Sequence, residues 1–227
     1  MTDRESYWLR VYRDLHRRAE SHLDYASAEE QAFAFAACLL AAGSVAGMRC
    51  LDAGCGTGGF ARLLRAAGAR EVVAVDFVED TIAGLRRSDP DIRWQAGSLN
   101  DAERIRALGT FDRVLAIEVL QYVSPSALFD VLWSVVAPGG RLIGYAPNAD
   151  SSFVQRTMTK FQQQYAPLSQ QAVSARLSSL PDLAEWGVMG LRWREGSRSV
   201  PYDFLPFTSA PDWPDPPKRL LFMARKM

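Results

Sequence analysis

The sequence has little histidine and little cysteine, two residue types that often carry catalysis or bind metals. Its 227 residues include two histidines, His16 and His22, both near the N-terminus. The three cysteines, Cys38, Cys50 and Cys55, are odd in number and have no metal-ligand spacing with histidine. We therefore expect neither a disulfide framework nor a metal site, and a reducing cytoplasm is the compartment that fits best.

The chain also lacks an excess of charge of either sign and a long apolar segment. Lys and Arg total 26 and Asp and Glu total 26, so the basic excess typical of a nucleic-acid-binding protein is missing. The longest uncharged run, from Ala32 to Met48, is interrupted by glycine and fits a buried helix and turn better than a membrane span. The first residues, MTDRESYW, are charged where a secretory signal is apolar. We expect no nucleic-acid partner and no membrane span.

What the sequence does contain is enough apolar residues, 48% of the chain, for one well-packed domain. Between residues 48 and 146, short apolar runs alternate with helical segments, a pattern typical of a mostly parallel sheet with helices on both faces. The predicted strands are Met48–Ala53, Glu71–Asp76, Ile92–Ala96, Phe111–Ile117 and Arg141–Ala146. The predicted helices between them are Gly59–Ala67, Val78–Arg87, Ala102–Leu108 and Ser126–Val136.

Helical patterns and two more strands flank this alternation. Helices are predicted at 5–22 and Ala28–Ala42, and two further helices lie within 150–180. Strands are predicted at Trp186–Arg194 and Lys218–Lys226, with a proline- and aromatic-rich loop or flap between them. We interpret the chain as one domain, residues 1–227. Its parts are an N-terminal helical cap (1–45), a core (46–148), a helical insertion that acts as a lid (149–180) and a C-terminal strand pair (181–227).

A glycine-rich segment, LDAGCGTGGF, follows the first predicted strand and opens a helix. Gly54, Gly56 and Gly59 satisfy the dinucleotide fingerprint G-x-G-x-x-G, in which glycine lets the backbone approach a ligand. Asp76 ends the next strand, where a carboxylate accepts hydrogen bonds from ribose hydroxyls. On this motif alone, an oxidoreductase dependent on a nicotinamide or a flavin is a serious alternative.

Four further segments, taken with the glycine loop, narrow the choice of cofactor and enzyme class. They are VVAVDFVEDTIAGLR, IRWQAGSLND, FDRVLAIEVLQYV and VVAPGGRLIGYAPN, which follow in order up to about residue 148. Together the five segments resemble those of the class I S-adenosylmethionine-dependent methyltransferases, in particular the small-molecule branch. The resemblance implies a Rossmann-like α/β fold with a seven-stranded, mostly parallel sheet. It also implies S-adenosylmethionine as cofactor and S-adenosylhomocysteine as product.

The resemblance also implies roles for individual residues in binding the cofactor. The glycine loop would surround the methionine part, and Asp52 would help to hold its amino group. Asp76 would bind the ribose hydroxyls, and Phe77 would flank the adenine. Ser98 stands where relatives often have an acidic residue, and Asp101 is an alternative partner for the adenine amino group. The complete cofactor set is Asp52, Gly54, Cys55, Gly56, Gly58, Asp76, Phe77, Ser98, Leu99, Glu118 and Val119.

The catalytic residues and the acceptor are less defined by the resemblance. Tyr122 stands where the family often has the histidine of a Glu-His pair, so three solutions stay open. In the first, the acceptor is already nucleophilic. In the second, Glu118 or Tyr122 assists the methyl transfer, and in the third, a lid helix moves His16 into the site. Aromatic residues predict an apolar or aromatic small-molecule acceptor, methylated on oxygen or nitrogen. The pocket candidates are Tyr7, Trp8, Tyr12, Gln121, Tyr145, Asn148, Phe153, Phe161 and Tyr165.

Two alternatives to methyl transfer remain at this point. An NAD(P)-dependent oxidoreductase is favoured by the glycine pattern only. A non-methylating or non-catalytic member of the same fold, which keeps the cofactor site, is favoured by the missing histidine.

Overall fold

The computed structural model of the chain describes residues 3–17, 28–123, 125–161, 164–192 and 203–227. In these residues the strands are β1 Arg49–Ala53, β2 Glu71–Asp76, β3 Arg93–Ala96, β4 Phe111–Ile117, β5 Val136–Pro147, β6 Leu183–Arg192, β7 Asp203–Thr208 and β8 Arg219–Lys226. The helices are α1 Asp3–Arg17, α2 Ala28–Ala42, α3 Gly59–Ala66, α4 Glu79–Ser88, α5 Ala102–Arg106, α6 Pro125–Ser134, α7 Ser152–Phe161 and α8 Gln170–Ser178, with a 3-10 turn at Leu120–Tyr122.

The strands form one sheet in the order β3-β2-β1-β4-β5-β8-β6-β7. Strands β1 to β5 are parallel, whereas β8 runs antiparallel to both β5 and β6. The order reverses between β1 and β4, because the chain builds outward to β3 and then returns to the other side of β1. In open α/β sheets, ligands bind outside the carboxyl ends of the strands at such a switch point.

Both faces of the central strands are buried, which explains their nearly continuous apolar sequences. On β2, Val73 and Val75 pack into one core with α5, α6 and α8, while Val72 and Ala74 pack into a second core with α2, α3 and α4. Successive side chains point to opposite faces of a strand, so one apolar run supplies both cores. The mostly parallel α/β architecture predicted from the sequence is confirmed.

The sheet has eight strands rather than the predicted seven. The additional strand, β7, lies in the proline- and aromatic-rich segment that we interpreted as a loop or flap. Among the described strands it pairs with β6 alone, at the edge of the sheet, with a register irregularity between Val188 and Gly190. An edge strand tolerates proline because one of its sides needs no hydrogen-bond partner, and Pro206 lies within β7.

Helices α1 and α7 meet over the carboxyl ends of the strands in a small aromatic core. Trp8 and Tyr12 of α1 are buried there with Val154 of α7 and Tyr165. Helix α8 instead packs Val173 and Leu177 into the core on one face of the sheet. The two helices of the predicted insertion therefore occupy different places, and only α7 contributes to the aromatic core. No helix in the described ranges combines the length and the apolar character that crossing a membrane requires.

Candidate functional site

The loop after β1 is built from glycines in backbone conformations that other residues rarely adopt. Gly54 has φ 84°, Gly56 φ 52° and Gly58 φ 81°. A Cβ at Gly54 would lie 2.5 Å from Val119 Cγ2, and one at Gly58 would lie 2.5 Å from Trp94. The amides of Gly54 and Cys55 both donate to the carbonyl of Val75, at 2.8 and 3.0 Å, which ties the loop to β2. The loop is therefore a rigid cradle that side chains would fill.

A cavity of about 160 Å³ opens beside this loop, at the carboxyl ends of β1, β2 and β4. Nearly all residues expected to bind the cofactor line it. Those lining it are Asp52, Gly54, Cys55, Gly56, Asp76, Phe77, Ser98, Leu99, Glu118 and Val119. Gly58 lies just outside the lining, between Thr57 and Gly59, which both contribute to it.

Asp52 is the most unusual polar group in the cavity. Its side chain is buried, with the residue only 2% exposed, and Oδ2 has no hydrogen-bond partner among the described residues. Burial, followed by the negative charge of Asp76, raises the pKa of Asp52 to about 7. An unsatisfied buried carboxylate is costly unless a donor or a cation comes to it. A ligand ammonium group placed against Oδ2 would supply both.

Asp76 is held rigidly at the end of β2. Its Oδ2 accepts from the amide of Gly56 and its Oδ1 from the amide of Val78, each at 3.0 Å. A carboxylate has about four acceptor positions, so both oxygens can still accept further bonds from ligand hydroxyls. The same side chain fixes the glycine loop and presents acceptors to the cavity.

Beyond Asp76 the cavity becomes less polar. Phe77 lies in its wall, and Leu99 is buried below it. Ser98 Oγ accepts from the amide of Asn100 at 3.0 Å. Asp101, the alternative to Ser98, accepts from the amide of Arg104 at 3.0 Å as the N-cap of α5 and does not line the cavity. Ser98 is therefore the better placed of the two to contact a ligand.

An ion pair stands at the end of β4, where Glu118 lies in the left-handed region with φ 52°. A non-glycine residue in this conformation is strained, and its surroundings must hold it there. The Glu118 amide donates to the carbonyl of Tyr145 at 2.7 Å, and Oε1 accepts from Arg219 Nε at 2.6 Å. Gln121 Nε2 donates to both the carbonyl and Oε2 of Glu118, at 3.0 Å each.

A second ion pair lines the same side of the cavity. Lys218 Nζ lies 3.7 Å from Glu30 Oε1, and burial together with the charge of Arg219 lowers the pKa of Lys218. Sequence reasoning did not select Glu30, Lys218 or Arg219. The only available signal was a Lys-Arg pair directly before the apolar run LLFMA of the final strand.

Aromatic rings close the cavity on the α1 side. Tyr122 contacts Trp8 with ring centroids 4.5 Å apart, and contacts Tyr12 at 5.6 Å. Tyr12 also meets the edge of Phe77 at 6.4 Å. Four of the candidate residues, Trp8, Tyr12, Tyr122 and Tyr145, line the cavity. Burial raises the pKa of Tyr145 well above its usual value, so its hydroxyl stays protonated.

Several other candidates lie outside the lining of the cavity. Tyr7 packs against Trp8, and Tyr165 is buried behind Tyr122. Phe153 is 44% exposed, with Lys218 Nζ 4.1 Å from its ring centre. The remaining two have structural partners: Gln121 holds Glu118, and Asn148 donates to Pro217 and accepts from Asp150. The side chains of Phe161 and His16, and all of His22, lie outside the described residues.

The three cysteines, Cys38, Cys50 and Cys55, are buried free thiols in the described residues. Burial raises the pKa of each one, that of Cys50 to about 12. Cys55 is therefore a neutral thiol in the wall of the cavity rather than a nucleophile.

Comparison with known proteins gives one family match and a set of structural neighbours. Residues 50–140 match a family model described as a methyltransferase domain. The structure resembles a methyltransferase from Archaeoglobus fulgidus, with a TM-score of 0.68 at 16% identity over 90% of this chain and 97% of that one. It also resembles the N-methyltransferase NodS from Bradyrhizobium japonicum bound to S-adenosylhomocysteine, with a TM-score of 0.63 at 18% identity over 95% and 97% of the two chains.

A third neighbour is a possible histamine N-methyltransferase from Thermotoga maritima, with a TM-score of 0.62 at 17% identity over 86% of this chain and 90% of that one. No curated protein sequence matches the chain. At these identities the neighbours establish the fold. The family match covers the segment that holds the glycine loop, Asp76 and Glu118, and it agrees with the resemblance drawn from the motifs in that segment. The match of residues 50–140 to a methyltransferase-domain model favours this interpretation over the nicotinamide-dependent alternative.

Proposed function

We propose that the protein transfers a methyl group from S-adenosylmethionine to an oxygen or nitrogen atom of a small molecule. The observation that carries the proposal is the buried Asp52 carboxylate beside the glycine cradle. Its Oδ2 is unsatisfied, within a cavity that Asp76 and Gly56 also line. The methionine end of the cofactor carries an ammonium group, which is the partner that Asp52 lacks.

The residues in the cavity fit the rest of the cofactor. The glycine cradle would hold the methionine backbone, Asp76 would accept from the ribose hydroxyls, and Phe77 with Leu99 would enclose the adenine. Once bound, the cofactor supplies a methyl group on a positively charged sulfur, which a lone pair on the acceptor can displace. The protein's contribution is to align the two partners and exclude water, which alone accelerates such a reaction strongly.

Apart from Asp52 and Asp76, the carboxylates proposed to hold the cofactor, the described residues of the cavity offer no free general base. None of the residues that line it is a histidine, and Glu118 is engaged by Arg219 and Gln121. An acceptor with an available lone pair, such as a neutral amine or a phenolate, needs no proton removed in the transition state. We propose an acceptor of this kind, with its apolar body against Trp8, Tyr12 and Tyr122.

The engagement of Glu118 by Arg219 and Gln121 also favours a second candidate function. A protein that binds the cofactor without methylating an acceptor would also have an intact cradle and an occupied Glu118. The two candidates differ in turnover, because only the methyltransferase releases S-adenosylhomocysteine when an acceptor is present.

The experiment therefore has a binding part and a turnover part. Isothermal titration should show S-adenosylhomocysteine binding to the protein at one site. Incubation with S-adenosylmethionine and a panel of small amines and phenols should then release S-adenosylhomocysteine, with mass spectrometry identifying the methylated product. Binding with no product from any acceptor would favour the non-catalytic candidate, and absence of binding would refute both.

A further inference from the structure

Two ion pairs, each with one buried and one half-buried member, line the cavity on the side of β5 and β8. They are Glu118 with Arg219 and Glu30 with Lys218. Arg219 is 8% exposed and Glu30 7% exposed, so these charges are withdrawn from water. Burying an ion pair costs free energy, and apolar residues would close an apolar pocket at lower cost. The proposed contacts to the methionine, ribose and adenine of the cofactor use none of these side chains except Glu118.

The Arg219 guanidinium retains unused hydrogen-bond donors. A guanidinium has five N–H donors in a planar fork. Nε donates to Glu118, and Nη1 has only the distant carbonyl of Lys218, at 3.4 Å. Nη2 has no hydrogen-bond acceptor among the described residues and is not one of their fully buried unsatisfied atoms, so it keeps some exposed surface. Because Arg219 lines the cavity, the cavity is where this donor can meet a ligand.

The position of Arg219 separates it from the methionine part of the cofactor. Asp52 lies on β1 and Arg219 on β8, with β4 and β5 between them. Three strand spacings of ~4.8 Å put their backbones about 14 Å apart. The Arg219 side chain reaches back only to Glu118, after the end of β4. The cofactor's carboxylate shares a carbon atom with the ammonium that Asp52 would hold, so it stays on the β1 side.

We infer that Arg219, supported by Lys218, forms a subsite for a carboxylate on the methyl acceptor. This inference rests on the proposed function and names the substrate class. The unused edge of a guanidinium binds a carboxylate through two parallel hydrogen bonds. The second positive charge, on Lys218, lies next to Arg219 in the same wall, and the aromatic rings of α1 enclose the rest of the molecule. The acceptor is therefore a small carboxylic acid with an apolar or aromatic body.

Benzoate and benzamide form a matched pair of probes, because they share shape and ring and differ in charge. The protein is saturated with S-adenosylhomocysteine and titrated calorimetrically with each probe. We expect benzoate to bind more tightly than benzamide by about tenfold or more. Arg219→Gln is expected to abolish this preference. Arg225→Gln, on the same strand but paired with the exposed Glu185 outside the cavity, is expected to keep it.

Arg219→Gln also leaves Glu118 buried without its cation, so loss of the fold must be distinguished from loss of the subsite. The double variant Glu118→Gln/Arg219→Gln removes both charges and is expected to fold, as judged by circular dichroism, and to bind benzoate and benzamide equally. Arg219→Lys keeps the charge but not the fork, and we expect an intermediate preference. Equal binding of the two probes to the unmodified protein, or a preference that survives in the double variant, would overturn the inference.

A titration of Arg219→Gln with S-adenosylhomocysteine shows whether Arg219 binds the carboxylate of the acceptor or that of the cofactor. We expect a Kd within about threefold of that of the unmodified protein. A loss of about tenfold or more would assign Arg219 to the cofactor's own carboxylate and overturn the acceptor subsite. Failure of the unmodified protein to bind S-adenosylhomocysteine would overturn the proposed function. Cofactor binding without a preference for benzoate would overturn the subsite alone.

Discussion

At the scale of single residues, Asp52 connects burial with ligand binding. Its carboxyl group lies in the cavity wall with one oxygen unsatisfied, and its pKa is raised to about 7 by burial and by the nearby Asp76. A large share of the ligand-free molecules at neutral pH therefore holds Asp52 as the neutral acid. A ligand ammonium favours the carboxylate, so binding should release the proton from these molecules.

The first prediction concerns this titration. Below pH 7, deprotonating Asp52 must precede binding, so affinity rises with pH through the pKa and then levels off. We expect the Kd for S-adenosylhomocysteine to fall about tenfold between about pH 6 and pH 8. Asp52→Asn should bind more weakly and with no such dependence. A flat profile for the unmodified protein, measured by calorimetry, would contradict the account of Asp52.

The second prediction concerns Asp76. Asp76→Ala removes the acceptors of the Gly56 and Val78 amides, together with the acceptors proposed for the ribose hydroxyls. A hydrogen bond to a charged group contributes roughly 1.5–3 kcal/mol, so the Kd for S-adenosylhomocysteine should rise by about 10- to 150-fold. The matched control is Asp101→Ala, which costs the cap of α5 but lies outside the cavity. Comparable losses of affinity in the two variants would show that Asp76 does not contact the ribose.

Sequence reasoning selected the cavity residues whose positions are encoded locally. Asp52, Gly56 and Asp76 stand at fixed positions around one strand-to-helix turn, so a short motif reveals them. The partner of Glu118 could not be found in this way, because Arg219 lies 101 positions away and meets it only through the order of the strands. For Asn148 and Gln121 the sequence suggested a place in the pocket that the structure does not give them. Both side chains instead donate hydrogen bonds to backbone carbonyls.

At the scale of elements, the glycine loop between β1 and α3 determines whether the cavity exists. Its path requires positive φ at Gly54, and Val119 fills the space where a Cβ would be. This second requirement links the loop to the segment after β4. A change at Gly54 therefore disturbs both walls of the cavity.

The third prediction tests this link. Gly54→Ala places an L-residue in the left-handed region, which costs about 1–2 kcal/mol, and it also collides with Val119. We expect urea denaturation to show a loss of about 2 kcal/mol or more, together with loss of S-adenosylhomocysteine binding. The control Gly84→Ala lies inside α4 with no atom near its Cβ, and should gain about 0.5–1 kcal/mol. A Gly54→Ala protein as stable as the unmodified one would refute the steric argument.

Most elements could be predicted because their sequence periodicity is set by burial. The helix at Ala28–Ala42 and the strands at Glu71–Asp76 and Phe111–Ile117 have the predicted bounds. Strand β7 was missed because proline and irregular spacing conceal an edge strand that is held by one neighbour. Strand β5 begins at Val136, whereas the prediction extended the preceding helix to that residue and began the strand at Arg141.

At the scale of the whole molecule, β8 joins the parallel part of the sheet to its antiparallel part. It pairs with β5 on one side and with β6 on the other. Phe222 of β8 is 1% exposed, stacks on Phe129 of α6 with ring centroids 5.4 Å apart, and fills the space above Gly144. The same strand begins with Arg219, so the packing of β8 also positions the charged wall of the cavity.

The fourth prediction compares two phenylalanines of the antiparallel part. Phe222→Ala leaves a buried cavity and should reduce the free energy of unfolding by about 3–5 kcal/mol. Phe207→Ala, at a position 41% exposed on β7, should change it by less than about 1 kcal/mol. Both values come from urea denaturation. Equal effects at the two positions would show that β8 does not anchor the sheet.

The central claim is that the cavity holds S-adenosylmethionine, and a thermal shift measurement tests it most directly. Unfolding is followed with S-adenosylhomocysteine, NAD and NADP in separate samples. A ligand at about a hundred times its Kd adds about 2.7 kcal/mol to stability, which corresponds to roughly 5–10 °C for a domain of this size. We expect this shift with S-adenosylhomocysteine alone. A shift with NAD or NADP, and none with S-adenosylhomocysteine, would contradict the account and assign the glycine cradle to a nicotinamide cofactor.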